Sequence, residues 1–491
     1  MSRSGHAFFT ALLLLAMGLP SARAQQGQEP QPQPQTPDQG TAPIPAYRSP
    51  LIGGAYNSDE EDADSQNLAP DTRPLSGAQN LSLGVARLTH SYWLPHFDIY
   101  STADSNGLSA SNKTGWTTYT SLMAGLDLHR TSGNSDLALS YIGGGTISND
   151  GSVGNSAIQE LEFSDRITFR RTVLSFMDQM GYLPETSFGN GGLGGLSLPG
   201  GGMPGLQNGL VPGQSILTAR GQRITNSFIT EIDRPLTPRS TLTFLGGYSL
   251  LHFLDNDLIN SDDSFFQGGY NYQISRQNTI AVLYRFSAYR YSNFNQSIDD
   301  NTFYLSYGRR VTGRLAFQIA AGPEVVLFRM PISGASAGTG STSTNSTTQA
   351  YWSLNTSLSY SLSRTGLGLS YSHGVGGGSG VLGGSVANTV SGSVGHQFSR
   401  TFQGGFNAGY SRNSGLAGTT ASTTTDQTYS YWFSGVNLTH PMGRALNLFL
   451  NYQMQYQDSN SQFCVGPTCG TSIVRHMVSV GFSWRDHPIA F

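Results

Sequence analysis

Apolar and polar residues alternate with a period of two along most of the chain after residue 92. In the segment 446–457, leucine, tyrosine and methionine occupy every second position, and asparagine, glutamine and one phenylalanine occupy the positions between them. The segments 279–289, 315–328 and 352–362 keep a similar separation. Because successive side chains of a β-strand point to opposite faces, the pattern predicts strands with one apolar and one polar face.

Short turns and long loops join these segments in alternation. The short turns lie at residues 235–238, 275–278, 311–314, 363–366, 399–401 and 440–443, with long polar stretches such as 331–349 between them. Tight periplasmic turns and longer extracellular loops are typical of a transmembrane β-barrel. We therefore predict an all-β fold: a single large antiparallel transmembrane β-barrel of about 16–18 strands over residues 92–491, with both termini in the periplasm.

The residues before the barrel divide into two parts. Arg3, the apolar stretch 7–19 and the small residues Ala22 and Ala24 have the pattern of a cleaved secretory signal, so residues 1–24 are predicted to be a signal peptide. Residues 25–91 are rich in Gln and Pro and contain an acidic run at 58–65. This composition predicts a disordered periplasmic segment, and a contact arm or a partial plug is the alternative.

Composition indicates which strand face meets lipid. Charged residues make up 12% of the chain, whereas soluble proteins contain about 25%. The polar face consists mainly of small neutral residues, which suit a pore lining better than a soluble exterior. Aromatic residues near strand ends also fit an interfacial girdle: Tyr289, Tyr291, Trp352, Tyr410, Tyr429, Trp432, Tyr456 and Trp484. The formal net charge of −3 argues against a nucleic-acid partner.

Charged strand residues are candidates for the pore, because an arginine facing lipid at the midplane costs about 2–4 kcal/mol. The most charged strand pair, 161–179, predicts a constriction in which acids and arginines face each other; the alternative places Arg166 and its neighbours at the periplasmic rim. The candidate constriction residues are Glu162, Arg166, Arg170, Arg171 and Asp178. The candidate pore lining comprises Arg285, Gln318, Glu324, Asn355, Asn451 and Gln453. The Gly-rich stretch 188–215 is either a second constriction or a mobile loop.

Other chemistry is weakly represented. Ser372 and His373, with Asn355 on the preceding strand, form a fragment of the arrangement in barrel lipid hydrolases, but no motif of those enzymes is intact. We therefore expect no enzyme, no catalytic residues and no cofactor. Cys464 and Cys469 lie in the loop before the last strand and predict a disulfide that shapes this loop. Two cysteines without neighbouring ligands argue against a metal site.

The chain ends with an alternating strand, residues 478–484, and then continues to Phe491. A terminal phenylalanine after such a strand resembles the sorting signal of outer-membrane proteins, although the tail after the strand is longer than usual. With its hairpin architecture, the chain resembles outer-membrane β-barrel or porin-like proteins of Gram-negative bacteria. The resemblance implies as partners outer-membrane lipid and lipopolysaccharide, the barrel-assembly machinery (through the C-terminal strand and Phe491) and small hydrophilic solutes.

Three functions fit this architecture. We expect a porin-like channel in the cell outer membrane for passive diffusion of small hydrophilic solutes, with weak charge selectivity. A non-conducting scaffold or adhesin that acts through its long extracellular loops is the alternative, and a barrel enzyme is the third possibility. A TonB-dependent transporter needs a folded plug domain before the barrel, and residues 25–91 are too few for one.

Overall fold

The structure, a computed structural model, describes residues 91–105, 115–149, 155–183, 222–254, 259–292, 296–331, 344–376, 384–399, 401–416, 428–459, 472–485 and 487–491. Eighteen long strands follow one another along the chain, and each is hydrogen-bonded antiparallel to the next. Their bounds are β1 Tyr92–Asp104, β2 Thr117–Ser132, β3 Ser135–Ser148, β4 Ser156–Phe169, β5 Thr172–Leu183, β6 Arg223–Thr237, β7 Ser240–Phe253, β8 Ser261–Ser275, β9 Asn278–Tyr291, β10 Gln296–Arg310, β11 Leu315–Pro331, β12 Thr344–Ser361, β13 Thr365–Gly376, β14 Ser385–Ser399, β15 Phe402–Gly415, β16 Thr428–Pro441, β17 Leu446–Ser459 and β18 Ile473–Arg485.

The last long strand pairs with the first and closes the sheet into a barrel. The pairing of β1 with β18 runs from His96 opposite Arg485 to Asp104 opposite Met477. Closure removes the exposed sheet edges that would otherwise template aggregation. The predicted all-β antiparallel barrel is confirmed, and the strand number lies at the upper end of the predicted range. In the described residues, no helix is long and apolar enough to cross a membrane.

The two ends of the barrel differ in their connections. At one end, the strands are joined by turns of two to four residues; at the other, the connections range from four residues between β9 and β10 to 39 between β5 and β6. We call these the turn end and the loop end. The predicted alternation of short turns and long loops is confirmed. Two further short turns were not predicted from the sequence: Gly133–Asn134 and Arg170–Arg171. Gly133 has a φ of 57°, which suits the left-handed conformation that tight hairpin turns require.

The C-terminal tail returns to the start of the barrel. After β18, the two-residue strand β19, Ile489–Ala490, pairs with Tyr92 and Trp93 of β1. The backbone N–H of Phe491 donates to the carbonyl oxygen of Ser91 at 3.4 Å. Phe491 therefore ends a separate short strand at the turn end and does not extend β18.

The outer face of the barrel is apolar and exposed. Val282, Phe303 and Leu305 are each more than half exposed, and large apolar side chains recur at outward positions around the barrel. A continuous surface of this kind is stable in a bilayer and would promote aggregation in water. The predicted orientation of the strands, with the apolar face toward lipid, agrees with this surface.

Part of the predicted aromatic girdle is wrong. Trp352, Trp432 and Trp484 are exposed on the outer face, as predicted. Tyr289 and Tyr291, in contrast, point into the barrel and are buried in an apolar cluster at its loop end. Odd-numbered positions of β9 face inward, so both tyrosines share the face of Arg285. The side chain of Tyr429 lies outside the described residues.

Gly322 in β11 allows a close approach between β11 and β10. A Cβ atom at this position would lie 1.6 Å from the carbonyl oxygen of Phe303. The Gly322→Ala substitution is therefore expected to lower the free energy of unfolding by about 1–3 kcal/mol, since neither backbone can retreat cheaply. Gly313→Ala is the control, because a Cβ there meets no atom within 4 Å. Denaturant titration in detergent micelles measures both, and equal effects would contradict the steric explanation.

Candidate functional site

Acidic side chains outnumber arginines on the inward face of the barrel. Register and burial assign eleven carboxylates and five arginines of the described strands to this face. The carboxylates are Asp98, Asp104, Asp127, Asp136, Glu160, Glu162, Glu231, Asp233, Asp263, Asp300 and Glu324. The arginines are Arg166, Arg223, Arg285, Arg475 and Arg485. The interior described here therefore has an excess of negative formal charge.

Three of these carboxylates surround one arginine near the loop end, on four consecutive strands. Asp263 of β8, Asp300 of β10 and Glu324 of β11 are buried, and Arg285 of β9 interacts electrostatically with all three. We call these four residues the acidic cluster. The register explains their proximity: Thr302 of β10 lies opposite both Arg285 and Glu324.

Local hydrogen bonds fix the orientation of the cluster. The guanidinium Nε of Arg285 donates to Ser287 Oγ at 3.0 Å, and Thr302 Oγ1 donates to the Asp300 carboxylate at 3.2–3.3 Å. On the same wall, the Tyr304 hydroxyl and Ser353 Oγ are 2.8 Å apart. The side chains are thus held in place by the strands that carry them, and three acids share one arginine.

The β13–β14 hairpin leaves the barrel wall beside this cluster. Pairing of β12 with β13 stops at Leu354 and His373, whereas β13 and β14 remain paired as far as Gly376 and Ser385. The backbone N–H of Val375 donates to both carboxylate oxygens of Glu324 on β11, at 3.1 and 3.2 Å. Since β12 lies between β11 and β13, this contact requires the hairpin to bend over the inward face of β12.

The bent end of the hairpin is held by apolar packing. Val375 is buried against a cluster that includes Ile298 of β10 and Phe328 of β11. On the other arm, a Cβ atom at Gly384 would lie 2.3 Å from Ile298 Cδ1, and this residue has a φ of 100°. Glycine is therefore required at this position by both space and backbone conformation. The hairpin narrows the loop end of the lumen next to the acidic cluster.

An ion pair joins the first and last long strands at the same end. Arg475 of β18 and Asp104 of β1 have fully buried side chains, and Arg475 Nε lies 2.9 Å from each oxygen of the Asp104 carboxylate. The Nη2 group of Arg475 bonds to the same carboxylate. Next to the pair, the His476 backbone N–H donates to Ser105 Oγ at 2.8 Å. These contacts hold β1 and β18 together where the barrel closes, at its loop end.

The structure corrects part of the predicted constriction. Glu162 and Arg166 face the interior, with Arg166 opposite Asp136. Arg170 and Arg171 form the β4–β5 turn and lie at the rim, as the alternative interpretation of this segment expected. Asp178 lies on the outer face, where its carboxylate accepts a hydrogen bond from Asn226 Nδ2 at 2.8 Å.

The physical reason is the two-residue turn, which pairs Phe169 with Thr172. Inward positions are therefore even-numbered in β4 and odd-numbered in β5, and Asp178 falls on the outer face. The prediction that Arg170, Arg171 and Asp178 line a constriction is therefore wrong. A contribution of Glu162 and Arg166 to a constriction stays a prediction.

The six candidate lining residues all occupy inward positions. Arg285 and Glu324 belong to the acidic cluster, and Gln318 and Asn355 lie opposite the small residues Ser357 and Ala320. Asn451 and Gln453 of β17 lie opposite Ser479 and Met477. Their contact with a permeating solute stays a prediction.

The hydrolase-like fragment is not assembled. Ser372 faces inward opposite Asn355, whereas His373 faces outward. The His373 ring stacks on Trp352 at a centroid distance of 3.9 Å, and its Nδ1 lies 2.7 Å from Asn388 Oδ1. The serine and the histidine thus point to opposite sides of the sheet. In the described part of the chain, no cluster of three or more candidate metal ligands occurs.

No pattern in the sequence pointed to Asp104, Asp263, Asp300 or Arg475 as residues of the site. Asp300 follows another aspartate, and only the register of β10 shows that Asp299 faces outward and Asp300 inward. The pairing of Asp104 with Arg475 has no local signal in the sequence. The cysteines Cys464 and Cys469, the stretch 188–215 and residues 1–90 lie outside the described residues.

The chain was compared with known protein families, curated proteins and solved structures, and only solved structures matched. No protein-family model matches the chain, and no curated protein matches it. OpdQ of Pseudomonas aeruginosa superposes with a TM-score of 0.41 and 12% identity, covering 82% of this chain and 100% of that chain. OccK2 (OpdF) of the same organism gives 0.41 and 12%, covering 81% and 98%. The outer membrane protein OpdK, also from P. aeruginosa, gives 0.38 and 12%, covering 81% and 98%. The superpositions are loose and the identities low.

Proposed function

We propose that the protein is a channel in the outer membrane of a Gram-negative bacterium through which small hydrophilic solutes diffuse passively. The closed barrel of eighteen strands carries the proposal, because barrels of this size leave an aqueous lumen unless other elements fill it. Glu162, Ser357 and Ser370 support an open space, since they point inward and yet are exposed. The apolar outer face supports the membrane location.

The excess of inward carboxylates supports a preference for cationic over anionic solutes. Fixed charges of one sign that line a narrow path raise the local concentration of ions of the opposite sign. The acidic cluster lies beside the bent β13–β14 hairpin, where the lumen is narrowed and the charge acts at short range. From composition alone we expected only weak charge selectivity, so a preference for cations over anions is a more specific proposal.

Liposome swelling tests the proposal with three solutes of comparable size. Vesicles that contain the purified protein are placed in iso-osmotic arabinose, lysine or glutamate. We expect swelling in arabinose and faster swelling in lysine than in glutamate, because the lumen is polar and acidic. Vesicles without protein are the control. Equal rates for lysine and glutamate would contradict the charge preference, and no swelling with any solute would contradict the channel.

A non-conducting scaffold is the second candidate, and one observation favours it. The apolar cluster at the loop end joins buried side chains of β9, β10, β11 and β13 inside the barrel, among them Tyr289, Ile298, Phe328 and Val375. Apolar contacts of this kind obstruct water and solutes. The swelling assay separates the two candidates.

The proposal includes a route to the membrane and partners there. Residues 1–24 would direct export, and the barrel-assembly machinery would bind the C-terminal strand. Phe491 supports this, since its side chain is 65% exposed at the turn end. Lipopolysaccharide would surround the loop end, where Arg290 and Arg329 each lie 2.7 Å from Asp299 on the outer face.

A further inference from the structure

Arginine is concentrated at the turn end of the barrel. Of the 19 arginines in the described residues, eleven lie in a turn or among the four strand residues next to one, and are exposed or half-exposed. We call this set the arginine rim: Arg130, Arg170, Arg171, Arg234, Arg239, Arg276, Arg309, Arg310, Arg314, Arg364 and Arg444. Arg166 and Arg485 lie at the same end but are buried and face inward, so they are not part of it.

On the outer face, the arginine rim has little negative charge near it; Asp136 and Asp233 lie at the same end but face inward. None of the described turn residues is acidic, and within the described part of the chain no rim arginine forms an ion pair. One outward acid, Asp165 of β4, lies toward this end and accepts a hydrogen bond from Ser135 Oγ at 2.9 Å. The loop end differs, because two of the three outward arginines described there, Arg290 and Arg329, pair with Asp299. The turn end thus presents a positive charge that the described residues do not neutralise.

Three rim arginines continue lipid-facing rows of side chains. Arg130 follows Leu126 and Leu128 on the outer face of β2, and Arg309 follows Leu305 and Tyr307 on that of β10. Arg234 holds the same place on β6, after the outward residues Phe228 and Ile232. A long basic side chain at the end of an apolar row keeps its stem in the hydrocarbon and its charge among the lipid headgroups.

We propose that the arginine rim binds the phosphate groups of anionic phospholipids in the membrane leaflet at the turn end. The planar guanidinium forms paired hydrogen bonds with phosphate oxygens, which suits arginine better than lysine for this task. No lysine occurs among the described residues of the chain. The proposal depends on the membrane location given above, but not on conduction through the lumen.

The test measures lipid selectivity at the surface of the reconstituted full chain. Spin-labelled phosphatidylglycerol and spin-labelled phosphatidylcholine are compared by electron paramagnetic resonance in phosphatidylcholine vesicles. We expect phosphatidylglycerol to associate roughly three- to tenfold more strongly at low salt and to lose most of this advantage at high salt. A signal from immobilised phosphatidylcholine shows independently that the barrel is in the bilayer, so failure of the membrane location and failure of the rim are distinguishable.

Two triple variants locate the effect. Arg130→Gln, Arg234→Gln and Arg309→Gln together remove outward charges at the turn end and should reduce the preference for phosphatidylglycerol about threefold. Arg290→Gln, Arg329→Gln and Arg412→Gln together remove the same charge from outward positions near the loop end and should leave it unchanged. Heat-dependent mobility on SDS gels confirms that both variants are folded.

Two results would overturn the proposal. One is an equal loss of lipid preference in both triple variants, since the effect would then reflect total charge. The other is no preference in the full chain. If a preference then appeared on deletion of residues 58–65, the acidic run of this chain would be the partner of the rim in place of lipid.

Discussion

Asp104→Ala is expected to lower the free energy of unfolding by about 3–5 kcal/mol, because it leaves the buried guanidinium of Arg475 without its counter-charge. Both side chains are 0% exposed, so water cannot replace the missing carboxylate. The pair also joins β1 to β18, and its loss weakens the contact that closes the barrel. Denaturant titration in phospholipid vesicles measures the effect.

A matched control separates burial from charge pairing as such. Asp299 forms two ion pairs on the outer face; its own side chain is 11% exposed, but the two arginines are 46% and 43% exposed. Asp299→Ala should therefore cost less than Asp104→Ala, about 1 kcal/mol, because the exposed guanidinium groups that it leaves behind are hydrated. The double variant Asp104→Ala with Arg475→Leu should recover part of the loss, since no uncompensated charge remains. Similar losses for Asp104→Ala and Asp299→Ala would contradict the role assigned to the Asp104–Arg475 pair.

The second large effect concerns ion selectivity. Replacing Asp263 and Asp300 by asparagine and Glu324 by glutamine removes the three carboxylates of the acidic cluster but keeps side chains of nearly the same size. The ratio of potassium to chloride permeability should fall several-fold, because Arg285 then becomes the dominant fixed charge beside the narrowed lumen. The glutamine retains an acceptor for the Val375 N–H, so the bent hairpin should stay in place. Reversal potentials in planar bilayers measure the change.

The control for this variant uses three acids on the outer face. Asp262→Asn, Asp299→Asn and Asp458→Asn change the net charge of the chain by the same amount, near the same end of the barrel. Their effect on the permeability ratio should be small, since the sheet and the lipid separate them from the lumen. An equal shift in both triple variants would show that the inward cluster does not set the selectivity.

Where the turns were recognised, alternation alone was sufficient to predict the strands and most of their faces; Tyr289 and Tyr291 of β9 are the exceptions. In β12 and β17, the polar positions Ser353 and Gln453 face inward, and their apolar neighbours face outward. The first and last strands were also placed within a few residues. Because a period-two pattern lies within a single strand, each strand and its two faces can be predicted from its own residues.

The other errors arose where the pattern within one strand could not predict where the next strand begins or which strands it contacts. An unrecognised two-residue turn at Arg170–Arg171 exchanged the faces of even and odd positions, and this moved Asp178 from the lumen to the outer surface. Contacts that form only when the barrel closes have no local signal in the sequence: Asp104 and Arg475 are 371 residues apart. The inward bend of the β13–β14 hairpin likewise depends on Glu324, a residue two strands away.

Single-channel recording tests the central claim most directly. The purified full chain is inserted into a planar bilayer that separates concentrated from dilute potassium chloride. An open, acid-lined barrel predicts discrete conductance steps and a zero-current potential that is positive on the dilute side, because potassium crosses more readily than chloride. Stable insertion without conductance steps, or a zero-current potential that is negative on the dilute side, would contradict it.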